Sequence, residues 1–93
     1  MNRVTLKFNN TLTNLAGAEF GKEIYEEQVK GKLDLNKKFE IQFPDQVKIV
    51  ASSFVNSFFA DIVREIGLKG LEDRLVIISN NSKLYDSIIK KLQ

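Results

Sequence analysis

Apolar residues recur along this chain with two different periods, and the changes of period mark its elements. Val4, Leu6 and Phe8 alternate with Arg3, Thr5 and Lys7, the period of two expected of a strand with one wet face. Asn9-Asn10-Thr11 reads as a turn, because such side chains bond their own backbone. From about Thr13 to Lys30 the repeat lengthens. Ala16, Phe20 and Ile24 recur every four residues with Tyr25 and Val29 beside them, while Glu19, Glu23, Glu26 and Glu27 face elsewhere. That pattern predicts an amphipathic helix. Gly31 to Asn36 ends it, and Phe39, Ile41 and Phe43 then alternate with Lys38, Glu40 and Gln42 in a second one-sided strand closed by Pro44-Asp45.

The second half of the chain repeats this logic. Val47 to Val50 predicts a short strand running straight into Ala51-Ser52-Ser53. Phe54, Val55, Phe58, Phe59, Ile62, Val63 and Ile66 follow in pairs every four residues, the strongest helical signal in the chain, with Gly67 placed to end it. Leu75-Val76-Ile77-Ile78 is a continuous apolar run, expected of a strand buried on both sides or nearly so. Asn80-Asn81-Ser82 then caps a last helix with a core stripe of Leu84, Tyr85, Ile88, Ile89 and Leu92.

Strands alternating with helices predict a layered α/β domain with right-handed crossovers. Two strands carry a fully polar face (Arg3, Thr5 and Lys7; Lys38, Glu40 and Gln42), which a sheet covered on both sides could not tolerate. The helices are therefore expected mainly on one face. Gly17 and Gly21 share a face of the first helix, and are read as a close backbone approach to the sheet, since glycine weakens a helix by about 0.5–1 kcal/mol and needs a packing reason.

At 93 residues the chain is expected to form one domain, 1–93. Its 14 Lys+Arg against 12 Asp+Glu give a net charge of +2, with the signs interspersed, which argues against a polyanionic partner. Its apolar runs are short of the ~18 residues needed to cross a bilayer, and the alternating start gives no apolar stretch for a signal peptide. No membrane role and a cytoplasmic setting are expected. The absence of His and Cys removes the imidazole base, the thiolate and the Cys/His metal site. The five glycines match no phosphate-cradling loop, and Asp34, Glu40 and Asp45 are too scattered for a metal. No enzyme activity and no cofactor are expected.

One junction carries candidate chemistry. Ser52-Ser53 stands where a strand enters the apolar helix, where a serine hydroxyl can accept from the first free backbone N–H groups. A phosphate is also well tolerated there, because the helix start carries about half a positive charge. The segment from Ile49 to Phe59, with Ser52-Ser53-Phe54 leading into Phe58-Phe59, followed by Ile66-Gly67-Leu68 and Leu75 to Ile78, resembles the STAS-like domain family of unknown function from about Leu15 onward. These are small relatives of the STAS fold (sulphate transporter and anti-sigma factor antagonist).

The resemblance implies an α/β, STAS-like fold: a mixed sheet of about four strands with three helices mainly on one face. In the anti-sigma factor antagonists an Asp-Ser-Ser-Gly motif occupies this junction. Its first serine is phosphorylated by a histidine-kinase-like ATPase, and phosphorylation switches binding. By position that serine is Ser52 and its neighbour Ser53, while Ala51 replaces the Asp and Phe54 the Gly. The expected function is a non-enzymatic regulatory module that docks a protein partner, such as an ATPase of that class, through Ser52, Ser53, Phe54, Asn56 and Ser57. Nucleic-acid accessory binding and small-ligand binding are the alternatives.

Overall fold

The computed structural model describes residues 2–93. Strand β1 (Arg3–Thr5) pairs in parallel with β3 (Phe39–Gln42), placing Val4 opposite Ile41, and β3 pairs in parallel with β5 (Leu75–Ile78), placing Ile41 opposite Ile77. The first and third strands leave the ladder together. Leu12 N–H bonds the Asn9 carbonyl and Val47 N–H the Pro44 carbonyl, closing one turn in each. Beyond these turns the two segments meet again as β2 (Asn14–Leu15) and β4 (Ile49–Val50), once more parallel. The structure therefore holds a three-stranded sheet, β1-β3-β5, and a two-stranded sheet, β2-β4.

The expected mixed, four-stranded sheet is corrected on both counts. Every strand pair is parallel, because each return passes through a helical crossover. The strand at 14–15 was hidden under the apparent start of the first helix. Gly17 sets that boundary: its φ of 103° is open to glycine and strained for other residues, so α1 begins at Ala18 and not near Thr13. Ala16, expected on the buried stripe, is exposed.

The expected three helices are four. Helix α1 (Ala18–Ile24) runs on into a π-helical turn, Tyr25–Val29. The long helix expected from Phe54 to Ile66 is two, α2 (Ser52–Phe58) and α3 (Ala60–Arg74), separated at Phe59, whose φ/ψ of −92°/0° departs from the helical basin. Gly67 ends the first helical stretch of α3, as expected. It adopts φ 76°, ψ 166°, a region essentially reserved for glycine, and a second stretch follows it as far as Arg74. The last helix is α4 (Leu84–Leu92), preceded by Lys83. Asn81 does not cap it by a side-chain bond to the first turn. Its Oδ1 accepts from Lys83 N–H, and its Nδ2 ties the Lys48 carbonyl.

The core lies on one face of the larger sheet. Val4, Phe39, Ile41 and Leu75 point inward and meet Ile24, Phe54, Val55, Phe58, Ile62, Leu71, Leu84 and Ile88 from the helices. A chain of ring contacts runs through it: Phe8 to Phe20, Phe20 to Phe54, then Phe54 stacked on Phe58 at 5.4 Å. Burying each such ring contributes about 1.5–3 kcal/mol. On the opposite face Arg3 and Thr5 lie beside Glu40 and Gln42, and Val76 is 37% exposed. The strand at 75–78 is thus not buried on both sides; only Leu75 is buried. The reading of helices on one face and water on the other holds.

Candidate functional site at the β4–α2 junction

Strand β4 ends at Val50, and Ala51 N–H bonds the Leu15 carbonyl at 2.8 Å, holding the junction to β2. Ala51 is still extended (φ −72°, ψ 156°) and is itself the N-cap of α2, with no side-chain cap bond. Ser52 and Ser53 are therefore the first two helical residues, one position too late to cap. That expectation is corrected.

The five residues singled out from the sequence separate into three kinds. Ser52 and Asn56 are exposed on successive turns, and Asn56 Nδ2 donates to the Ser52 carbonyl at 2.9 Å. Ser53 and Ser57 are engaged. Gly17 N–H donates to Ser53 Oγ at 2.9 Å, and Ser57 Oγ donates to the Ala18 carbonyl. Phe54 is fully buried between Phe20 and Phe58, so its side chain cannot meet a partner. The placing of Phe54 in the docking surface is corrected: position 54 looks inward along with 55 and 58.

The engaged serines explain the glycines. A Cβ on Gly21 would stand 2.6 Å from the Phe54 carbonyl oxygen and 3.1 Å from Phe58 N. Close approach is therefore the role of Gly21, but toward α2 and not toward the sheet. Gly17 and Gly21 on one segment thus face Ser53 and Ser57 on the other, both pairs spaced by four. Small residues on both sides let two backbones meet; the Ser53 hydroxyl satisfies the Gly17 N–H, left over at the start of α1, and the Ser57 hydroxyl adds a bond to the Ala18 carbonyl. The surface exposed around this joint comprises Ser52, Ser53 and Asn56, with Ile49, 56% exposed, three residues ahead of Ser52.

The family described as a STAS-like domain of unknown function (DUF4325) matches residues 21–85. The chain belongs to this family. The matched span runs from Gly21 in the joint through β3, β4 and β5 to Tyr85 in α4, and so contains the whole β4–α2 junction. No match is found among curated proteins or solved structures. No helix among the described residues is long and apolar enough to cross a membrane, and no acidic cluster among them is placed to hold a metal ion.

Two further features of this STAS-like chain escaped sequence reasoning. Lys91 Nζ donates to Ser87 Oγ at 2.6 Å on α4. Ser87 and Lys90 have the Ser-x-x-Lys spacing of a lysine-activated nucleophile, yet it is the lysine one place further on that reaches the hydroxyl. A cleft of about 670 Å³ lies between the π-turn with its following loop and the start of α3. Tyr25, Val29, Leu33 and Ile62 form its apolar part, and Asp61 and Glu65 stand along α3. The sequence carried no clear signal for it: Asp61 and Glu65 stand four apart on α3, but Arg64 already pairs Asp61 at 2.7 Å, and Lys30 lines the same cleft.

Proposed function

We propose that this STAS-like chain is a non-enzymatic interaction module that docks a protein partner on the surface formed by Ile49, Ser52 and Asn56. The observation that carries this is the contrast within one junction. Phe54 is buried and the Ser53 and Ser57 hydroxyls are bonded across the joint, Ser53 at its exposed edge, while Ser52 and Ile49 are exposed next to them. A surface fixed by the joint beneath it loses little freedom on binding, which favours recognition. An apolar anchor beside a polar, modifiable group suits a regulated contact.

The family resemblance supports a histidine-kinase-like ATPase as the partner class and Ser52 as the phosphorylated residue. A phosphate there meets the positive end of a short helix and displaces no packed group. On Ser53 it would collide with the bond from Gly17. The test is capture from the native host with the full chain as bait, followed by mass spectrometry. An ATPase of that class retained by the wild type and by Ser52→Ala, but released by both Ser52→Asp and Ile49→Asp, is the expected outcome. Equal retention by all four sinks the reading.

Small-ligand binding is a second reading with its own observation, the cleft beside Tyr25.

A further inference from the structure

Strand β1 is an edge of the larger sheet, and its outer side is only partly occupied. Glu40 N–H donates to the Asn2 carbonyl and Leu6 N–H to the Gln42 carbonyl, so the even-numbered residues carry the pairing to β3. The odd-numbered residues turn their N–H and C=O the other way, which puts those of Arg3, Thr5 and Lys7 on the free edge. Lys7 is already paired there. Gln28 Oε1 accepts from Lys7 N–H at 2.7 Å, and Gln28 Nε2 donates to the Lys7 carbonyl at 2.8 Å. One side-chain amide thus does for Lys7 what a neighbouring strand would do. Among the described residues nothing does the same for Arg3 or Thr5, and a cleft of about 470 Å³ opens beside them.

The walls of this cleft are Arg3, Val4, Thr5, Lys7, Gln28 and Lys32, three cations and no carboxylate. Arg3 gives its Nε to Glu40 at 2.6 Å, and the rest of its guanidinium has no partner among the described residues. Lys32 Nζ has only the Glu27 carbonyl, at 3.4 Å. A simple anion would suit these cations but would leave the outward carbonyls of Arg3 and Thr5 without donors. An extended peptide supplies N–H groups to those carbonyls, carbonyls to the N–H groups, and acidic side chains to the cations. A second copy of β1 does not, because pairing the strand with itself about a two-fold axis sets Arg3 and Lys7 against the same cations of the partner.

We propose that the free edge of β1 takes up an extended acidic segment of another protein as an added strand, its backbone bonding Arg3 and Thr5 and its alternate carboxylates facing Arg3, Lys7 and Lys32. Gln28 occupies the Lys7 end, so the added strand pairs beside residues 3–5. The contact uses neither Ser52 nor Ile49, and it can fail while the docking surface at the β4–α2 junction holds, or the reverse.

The experiment is a titration of the isotope-labelled full chain with a blocked pentapeptide alternating glutamate and valine, read by amide chemical shifts. The lysine–valine analogue and inorganic phosphate are the controls. Saturable shifts at residues 3–7 and 28–32 are expected, with the Thr5 N–H moving downfield as it gains an acceptor, and neither control should reproduce them. Thr5→Pro removes the outward N–H without touching the ladder to β3, as proline on an edge strand can, and should weaken binding about tenfold. Lys32→Glu, an exposed change that spares the fold, should weaken it about threefold; Lys22→Glu, exposed on α1, should leave it unchanged. Equal shifts from phosphate or from the lysine peptide, or affinity unaltered in both Thr5→Pro and Lys32→Glu, would overturn the proposal.

Discussion

The joint between α1 and α2 and the uncovered face of the three-stranded sheet both place small polar side chains where elements meet, and they do opposite things with them. On the sheet, Arg3 Nε bonds Glu40 Oε1 at 2.6 Å, and Thr5 Oγ1 reaches Gln42 Oε1 at 3.3 Å. Each of these groups could turn to water instead, as the Arg3 and Glu40 side chains, 35% and 33% exposed, already partly do. At the joint, Ser53 and Ser57 bond the backbone of Gly17 and Ala18 while Gly21 brings the two helices into contact. Ser53 and Ala18 remain exposed, so what sets the joint apart is the close approach of the two backbones at Gly21, where an added Cβ would stand 2.6 Å from the Phe54 carbonyl oxygen. Polar side chains therefore decorate one surface and assemble the other, and the difference is whether they bond one another across an open face or bond backbone groups where two helices meet closely.

The most severe way to break that contrast is at Gly21. Gly21→Ala adds one carbon with a backbone oxygen at 2.6 Å and a backbone nitrogen at 3.1 Å, neither of which is a flexible chain end. We expect a loss of about 3 kcal/mol, read as a fall in Tm of ~12–20 °C by calorimetry. Ser57→Ala and Ser53→Ala leave the space unchanged and remove one bond each, and should cost about 1 kcal/mol apiece. The Gly21→Ala, Ser57→Ala double variant should lose less than the sum of the two, since the first already forces the seam apart. A Gly21→Ala protein as stable as the parent would mean that α1 and α2 can slide past one another freely.

The sequence showed both partners of this joint without showing that they were partners. Gly17 and Gly21 stood out by spacing, and Ser52-Ser53 by position, but a contact between residues 36 apart leaves no local pattern. Strands β1 and β3 were legible because one-sided burial stamps a period of two on Val4, Leu6, Phe39, Ile41 and Phe43. Strand β2 was not, since two residues carry no period. The four apolar residues 75–78 looked doubly buried because an edge strand over an open face can still carry Val76 and Ile78. The break at Phe59 was invisible for another reason: Phe58 and Phe59 are both buried, so the apolar repeat runs on through a change of backbone direction. At the candidate site, exposure of Ser52 and Asn56 was readable, whereas the inward turn of Phe54 was masked by the motif it belongs to.

The two tyrosines fall between these extremes, and pH separates them from the rest. Both have pKa values raised above the ordinary 10.0: Tyr25 by burial and then by Asp61 and Glu65, Tyr85 by burial and then by Glu72, Asp86 and Asp73. A raised folded-state value means that the native chain holds these protons after the unfolded chain has released them. Their contribution to stability is therefore fully present below about pH 10 and is lost as pH rises through the folded values. Urea unfolding at several alkaline pH values should show this decline. Tyr25→Phe and Tyr85→Phe together should flatten it, relative to the parent, without altering the slope near neutrality. An unchanged alkaline slope in the double variant would place the titration on groups other than these two tyrosines.

The smallest effect should come from the sheet face. A double-mutant cycle on Arg3→Ala and Glu40→Ala isolates the coupling of the pair from the changes each substitution makes alone. We expect about 0.2–1 kcal/mol at low salt, falling toward zero by ~1 M salt, where the screening length shrinks to a few Å. Its size matters less than that fall. Coupling of Ser57 to the Ala18 carbonyl involves no net charge and should hold across the same range of salt. A pair on the open face that kept its full coupling in high salt would behave as the joint does, and the distinction between decorating a surface and assembling one would no longer follow from the charge of the bonded groups.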